Sequence, residues 1–358
     1  MEYDSKAIAY WSGIVKVFIC DHACAAIPLT GTLNSSAGFH GEFLLQALLA
    51  DITLVSALYV SILRDPKLRP IDLPTSSVFV PFTLTNAIDL IDGCIQDADA
   101  IWPLAPESNG VLEAISRRVL QHHKVLLGST PAAVHLTGSK YRTSQALRAA
   151  GVSAVPTYRP NANLQSDFQG WVVKPDDGAG CSDTRIFSHS NAAREWIAAQ
   201  LKGDYVLQPY LSGRPCSLSL LCGSNDAFLL GCDDQRIAVS DNQFHHMGST
   251  VNAMDDNSGE LRQLAHQVNS AIPGLWGYVG IDFIFTKQGP VVLEVNPRMT
   301  LSHAGIHASI GANPAEMLID MLRTGHCELP MSHIKRRQIS VDVNAWLHRN
   351  PAQTPLAR

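Results

Sequence analysis

Residues 289–306 read "GPVVLEVNPRMTLSHAGI" and set a carboxylate, an amide and a guanidinium at alternate positions directly after a run of aliphatic residues. Val291, Val292, Leu293 and Val295 have the β-branched, apolar character of a strand with one face in a core. Side chains along a strand alternate between faces, so Glu294 and Asn296 point the same way, with Arg298 just past the end of the ladder.

Upstream lies "YVGIDFIFTKQGP", a second strand whose polar exception is Asp282. A three-residue loop at Lys287, Gln288 and Gly289, with the glycine in the left-handed position, closes the two strands as a hairpin. In that register Phe285 faces Val291 and Asp282 lies opposite Glu294. Three oxygen-bearing side chains, Asp282, Glu294 and Asn296, then converge on one face. Hard cations such as Mg²⁺ take oxygen ligands and commonly keep waters and phosphate oxygens as well, so the pattern fits a nucleotide-metal site. A solvent-facing hairpin with scattered polar residues is the alternative.

The first third of the chain alternates strand-like and helix-like segments. "GIVKVFIC", "SSVFVPFT", "DADAIWPLA" and "KVLLGS" read as strands, "FHGEFLLQALLA" and "SNGVLEAISRRVLQHH" as helices. Such alternation predicts a parallel sheet covered on both faces, a Rossmann-like lobe. No Gly-x-Gly-x-x-Gly follows a strand, so the dinucleotide signature is missing. Ligands in such sheets bind at the carboxyl ends of strands, here the loops after Cys20 and Leu104.

From residue 130 the texture changes. "SKYRTSQALRAAG" reads as a helix stopped by Gly151, "GWVVKPDDGAGCSDTRIF" as two strands around a glycine-bearing loop, and "YVLQPYLSGRPCSLSLLC" as a strand that turns at Pro209 and Gly213. "AFLLGCDDQRIAV" continues an antiparallel sheet, which makes the middle of the chain α+β. Of the last thirty or so residues only "QISVDVNAW" has the texture of a strand.

A length of 358 residues suggests two or three lobes, and 46% hydrophobic with 16% charged residues is a soluble globular composition. A net charge of −5 gives no broad basic surface, which disfavours a nucleic-acid partner. The longest apolar region, Phe43 to Leu63, is broken by Gln46 and Asp51 and falls short of the ~20 residues of a membrane span. It reads as a buried helix followed by a strand. No basic segment followed by a continuous apolar run opens the chain, so export is not indicated. Eight cysteines without a Cys-x-x-Cys pair fit a reducing cytoplasm. Cys20, His22 and Cys24 lack the second half of a metal site, and His303 and His307, at i, i+4, read as structural rather than as half a zinc site.

Two further pieces suit phosphate. Lys174 ends a β-branched run just before Asp176, Asp177, Gly178, Ala179 and Gly180, a loop whose glycines let backbone N–H groups wrap anionic oxygens. Lys140 starts a helix, where the free N–H groups and the macrodipole already favour anions.

A helix-start lysine, a strand lysine with its glycine loop, the turn "LQPYLSG" and the closing Asp…Glu-x-Asn-x-Arg hairpin, in that order, resemble the ATP-grasp family. The resemblance implies a Rossmann-like lobe over residues 1–130, an ATP-grasp domain of two α+β subdomains over 131–327, and a C-terminal extension over 328–358. It implies Lys140 and Lys174 as phosphate lysines, Asp176 to Gly180 as the loop over the triphosphate, and Gln208, Pro209, Tyr210 and Leu211 as the hinge whose main chain reads adenine. Asp282, Glu294 and Asn296 match the ligands of Mg²⁺, with two ions expected and Mn²⁺ as an alternative. Arg298 matches the arginine that steadies phosphate or the tetrahedral intermediate, with Lys174 beside it in catalysis. One position departs: Pro215 stands where members often carry an acid for the ribose hydroxyls, which leaves ribose recognition unassigned. Gln235 and Arg236 are expected as further polar contacts.

The chemistry implied is transfer of the γ-phosphoryl of ATP to a carboxylate, followed by attack of an amine. "DADAIWPLAPESNGVLEAI…KVLLGSTPAAVHLTGSKYRT" resembles the tyramine–glutamate ligase branch of the family, which makes a γ-glutamyl amide in methanofuran biosynthesis. In that comparison Glu107 faces the nucleotide lobe and holds a substrate ammonium, or else is a helix-start acid favoured by the dipole. A D-alanine–D-alanine-type ligase, a bicarbonate-using carboxylase and a regulatory nucleotide-binding protein are the rival functions.

Overall fold

The computed structural model describes residues 13–21, 35–64, 77–81, 87–164, 168–200, 203–224, 226–325, 336–343 and 345. In the first lobe β1 (Val15–Asp21), β2 (Leu58–Arg64), β3 (Ser77–Pro81), β4 (Ala100–Leu104) and β5 (Val125–Leu126) form a parallel sheet in the order β3-β2-β1-β4-β5. Among the described residues three helices cover it: α1 (Ser35–Ile52), α2 (Ala87–Asp97) and α3 (Val111–Gln121). Val17, Ile19, Val60 and Ile62 pack against Leu45 and Leu48 of α1. Phe18 and Ile101, on the other face, pack against Ile91 and Ile95 of α2 and Ile115 and Val119 of α3. Strands buried on both faces lose the polar alternation of a half-exposed sheet, which is why "VKVFIC" and "AIWPL" read as nearly continuous apolar runs. The apolar region at 43–63 divides into the end of α1 and β2, and no described helix is long and apolar enough to cross a membrane.

The chain runs on through α4 (Pro131–Thr137), α5 (Lys140–Ala149), β6 (Trp171–Pro175), β7 (Arg185–Phe187), α6 (Ser190–Ala198), β8 (Tyr205–Pro209) and β9 (Arg214–Cys222). Next come β10 (Ala227–Ser240), β11 (Gln243–Val251), α7 (Glu260–Ala271), β12 (Gly277–Thr286), β13 (Gly289–Asn296), α8 (His303–Ile310), α9 (Pro314–Thr324) and β14 (Ile339–Val341). The strands of this part form one sheet in the order β13-β12-β9-β10-β11-β7-β6-β8, with β14 antiparallel to β11.

Two cores support that sheet. Leu218, Leu220, Ile281, Phe283, Val292 and Val295 pack with Leu264 and Val268 of α7 at one end, and Trp171, Val173, Tyr205 and Leu207 pack with Ala193 of α6 at the other. α8 and α9 close back on the first lobe, where Ile306, Leu318 and Leu322 join the core of α1. His307 Nδ1 lies 2.7 Å from Asp51 Oδ1 and His303 Nε2 3.1 Å from Asp51 Oδ2, so the i, i+4 pair ties α8 to the end of α1. Among the described residues no group of three or more His, Cys, Asp or Glu is disposed to hold a metal ion. Of Cys20, His22 and Cys24, only Cys20 falls within the described residues, and it is buried.

Candidate active site

The closing hairpin differs from the expected register in an instructive way. Thr286 pairs with Gly289, so the turn holds two residues, and Ile284 rather than Phe285 pairs with Val291. A bulge between the Asp282 and Phe283 pairings then restores Asp282 opposite Glu294. The extra residue on β13 is Leu293. Val292 and Val295 both enter the core, so Leu293 and Glu294 between them both line the cavity. A bulge re-aims side chains in this way at the cost of one unpaired residue.

Asn296 donates through Nδ2 to Asp282 Oδ2 at 3.1 Å, and Gln235 donates through Nε2 to Asp282 Oδ1 at 2.8 Å. Facing them are two lysines from different elements. Lys140 Nζ is 3.2 Å from Glu294 Oε2 and also donates to the carbonyl of Gly178. Lys174 stands on β6, where alternation sends Trp171 and Val173 into the core and Val172 and Lys174 into the cavity.

Asp176 joins the helix start to the strand end. It accepts from Ser139 Oγ at 2.8 Å and from the Tyr141 N–H at 2.9 Å, its carbonyl accepts from the Lys140 N–H at 2.9 Å, and Arg159 pairs with it at 3.0 Å. Ser139 is the N-cap of α5, its Oγ accepting from the Arg142 N–H at 3.2 Å, and Asp176 satisfies the Tyr141 N–H beside it, which ties the helix start to the strand end. Asp177 is exposed and accepts from the Asn109 N–H at 3.2 Å. Neither aspartate lines the cavity, whereas Gly178 does.

Gln208, Pro209, Tyr210 and Leu211, expected as the hinge, line the same cavity, a space of about 850 Å³ counting its open mouth. Gln208 is anchored through Nε2 to Thr157 Oγ1 at 3.0 Å, and the Tyr210 N–H to the Gly170 carbonyl at 2.9 Å. Pro215 lines the cavity, and the carboxylates among its lining residues are Asp282 and Glu294, at the lysine end.

A second cavity, about 1730 Å³ with its open mouth, shares Asp282, Glu294, Gln235, Cys181, Ser182 and Phe244 with the first. Its walls are Leu104, Ala105 and Pro106 at the carboxyl end of β4, Ala179 and Gly180 of the glycine loop, Asn296, the run from Arg298 to Ser302, and His245 and His246 of β11. Strand order reverses between β1 and β4, where open α/β sheets leave a crevice. The loop after Cys20 lies largely outside the described residues, and the loop after Leu104 forms this wall.

Arg298 lines the second cavity and is held by Glu107, Nε to Oε2 at 2.5 Å and Nη2 to Oε1 at 3.2 Å. Gln235 and Arg236 part company, as neighbours on a strand do. Gln235 reaches the carboxylates, while Arg236 donates to the carbonyls of Ser249, Met247 and Val341 and pins β14 to β11, away from both cavities. Sequence reasoning missed Leu293, Cys181, Ser182, Phe244 and His246. The run "QFHHMGSTV" carries a ring and imidazoles on a strand, yet nothing local tells which face is a cavity wall.

Electrostatics follow from crowding. Asp282 is raised from the ordinary aspartate range, first by burial and then by the Glu294 charge. Burial alone would raise Glu294 too, but Lys140 and Lys174 reverse that and hold it well below its usual value. Lys140 is raised, because Glu294, Glu107 and Asp176 together outweigh its burial. Lys174 is lowered, because burial, with a lesser push from the Lys140 charge, outweighs the pull of Glu294. Two cross-strand carboxylates and an amide are the donor set of a hard dication that takes its remaining ligands from phosphate and water, so the residues fit Mg²⁺.

Residues 137–302 match the ATP-grasp domain and residues 58–134 the pre-ATP-grasp domain, together more than half of the chain. A tyramine–L-glutamate ligase of Methanocaldococcus jannaschii is 26% identical over 226 residues, covering 63% of this chain and 63% of that protein, less than two thirds of the relative's own length. A protein of Archaeoglobus fulgidus assigned to the ATP-grasp superfamily aligns with a TM-score of 0.66 at 21% identity, over 91% of this chain and 92% of that one. The biotin carboxylase domain of a Hydrogenobacter thermophilus 2-oxoglutarate carboxylase, solved with MgADP and bicarbonate, gives 0.66 at 16% identity over 91% and 73%. These two structures share the fold; identities so low carry nothing finer. A pre-ATP-grasp match followed by an ATP-grasp match, on a parallel lobe joined to a wide antiparallel sheet, makes this chain a member of the ATP-grasp family.

Proposed function

We propose that this protein is an ATP-dependent carboxylate–amine ligase of the cytoplasm, and that it joins the side-chain carboxylate of glutamate to tyramine or a related aromatic amine. The observation that carries the reading is the cross-strand Asp282–Glu294 pair facing Lys140 and Lys174, at the junction of two connected cavities. One cavity has the hinge and apolar walls suited to a nucleotide base. The other is open to the first lobe and has room for an organic substrate. The similarity to the tyramine–L-glutamate ligase supports glutamate and an aromatic amine in particular.

In this reading Asp282, Glu294 and Asn296 would hold Mg²⁺, which supplies charge neutralisation at the phosphates when bound. Lys140 and Lys174 bind the phosphate oxygens, with the loop from Gly178 to Gly180 covering them. The main chain of Gln208 to Leu211 reads the base. Arg298 presents its charge to the second cavity, where the carboxylate substrate meets the γ-phosphoryl group. The amine then attacks the acylphosphate and phosphate leaves, so that one C–N bond forms as one C–O bond breaks. Among the described residues of the shared wall no unpaired base stands beside the cavities, and the amine's proton passes to solvent in this reading.

The test supplies ATP, Mg²⁺, glutamate and one amine at a time, following ADP release and product mass. A γ-glutamyl amide with tyramine or another aromatic amine is the expected result. Robust turnover with D-alanine or labelled bicarbonate, and none with glutamate plus any aromatic amine, overturns the substrate assignment.

A further inference from the structure

Glu107 precedes a short turn (Ser108–Gly110) and makes no cap hydrogen bond to it, so it is not the helix-start acid that its position suggests. Nor does it line either cavity, although its neighbours Pro106 and Ser108 line the second one. Both of its oxygens are engaged by Arg298, and its side chain and that of Arg298 are 7% and 17% exposed. The pair bridges the first lobe and the residue that follows the metal-binding strand.

The guanidinium has five N–H groups in a rigid fork. Nε and one Nη2 hydrogen go to Glu107, the other Nη2 hydrogen to Asn296 Oδ1 at 3.3 Å, and one Nη1 hydrogen to the Met299 carbonyl at 3.1 Å. One Nη1 hydrogen is left for a ligand in the cavity that Arg298 lines. The turn that carries Glu107 is itself braced, with the Gly110 N–H on the Glu107 carbonyl at 3.2 Å and the Asn109 N–H on Asp177 of the glycine loop at 3.2 Å.

We propose that Glu107 is a positioning residue that acts through Arg298: from the first lobe it fixes the plane of the guanidinium, so that a single N–H and the positive charge face the reacting phosphoryl and carboxylate groups. It does not itself touch substrate. The inference rests on the ligase reading of the same site. It makes docking of the first lobe part of the catalytic geometry, because a guanidinium released from Glu107 would be free to rotate or to pair with Asp282 and Glu294 nearby. A bidentate pair demands both oxygens at fixed spacing, so an amide that keeps the shape and loses one acceptor is the informative replacement.

The experiment compares wild type, Glu107→Gln, Arg298→Lys and the double variant. If Glu107 works only through Arg298, Glu107→Gln lowers kcat about tenfold or more with the glutamate KM within about threefold, and the double variant is no slower than Arg298→Lys within about twofold. A glutamate KM that rises with kcat unchanged makes Glu107 a substrate contact and overturns the proposal; so do losses that multiply in the double variant. A readout independent of turnover is ¹⁵N arginine side-chain NMR. The Nε–H resonance missing from Arg298→Lys identifies Arg298; it exchanges slowly in wild type and at least about tenfold faster in Glu107→Gln. Fast exchange in wild type, or protection unchanged in Glu107→Gln, overturns the proposal without reference to activity. Absence of ADP release with every amine tested would remove the ligase reading, and the NMR comparison would still decide the role of Glu107.

Discussion

Lys140 and Lys174 enter one cavity from opposite elements, a helix start and a strand end, and their protonation is pushed in opposite directions. Lys140 has Glu294 at 3.2 Å and the Gly178 carbonyl besides, so its charge is already built into the fold. Among the described residues the Lys174 ammonium has no hydrogen bond or ion pair, and burial outweighs the pull of the Glu294 charge on it. The difference teaches that identical side chains can divide the labour: one is paired with a carboxylate of the resting protein, and the other, in the proposed reading, is left for an incoming phosphate.

The largest expected effect comes from removing the group that distinguishes them. Glu294→Gln keeps the shape of the site and deletes the charge that raises Lys140, so kcat should fall by about a hundredfold or more, the scale of losing one preorganised electrostatic contact. ADP release at saturating nucleotide and ordinary Mg²⁺ measures it. Full turnover would break both the metal assignment and the comparison built on it.

The paired methionine variants sharpen the contrast. Lys140→Met strands a buried carboxylate beside another, and chemical denaturation should show a loss of about 3 kcal/mol, since breaking a buried ion pair leaves an uncompensated charge. Lys174→Met removes a charge that the fold disfavours, so stability should hold or rise while the affinity for a fluorescent ATP analogue drops about tenfold. Equal stability losses in the two variants would contradict the division of labour.

The smallest effect is in pH. Lys174 has its folded pKa below the unfolded value, so the folded protein disfavours its proton, and the charge that meets phosphate is lost as pH rises through that lowered value. Lys140 is raised, so its stabilising charge is fully present below its unfolded pKa and is lost only as pH rises through a value above the ordinary lysine range. kcat/KM for ATP should therefore begin to fall on the alkaline side below the usual lysine pKa, reporting the free enzyme. Lys174→Arg should move that limb to higher pH, because a guanidinium keeps its proton. An unmoved limb would assign the titration elsewhere.

Much of this site could be read from the chain because its parts lie on single elements. Asp282, Glu294 and Asn296 share one hairpin, where strand alternation puts Glu294 with Asn296 and the bulge at Leu293 keeps Asp282 opposite Glu294; the glycines and Lys174 sit within one strand and its loop. The stretch "LQPY", expected as the hinge, is likewise local. Asp176 is less legible, since an acid beside glycines looks like a loop residue until the helix start it bonds to is placed against it.

Taken by itself, the sequence determined the alternating first lobe, the α+β middle and the identity of the charged residues, all of which follow from apolar periodicity and turn chemistry within a dozen residues. Only the tertiary structure decided that Leu293 turns inward beside Glu294, that Arg236 serves β14 instead of the cavity, that β11 supplies a wall, and that Glu107 closes on Arg298 across 191 positions of chain. A bulge is a compromise between two neighbouring strands, and an ion pair between lobes is set by how those lobes dock. Neither is encoded in the spacing of residues along a single element.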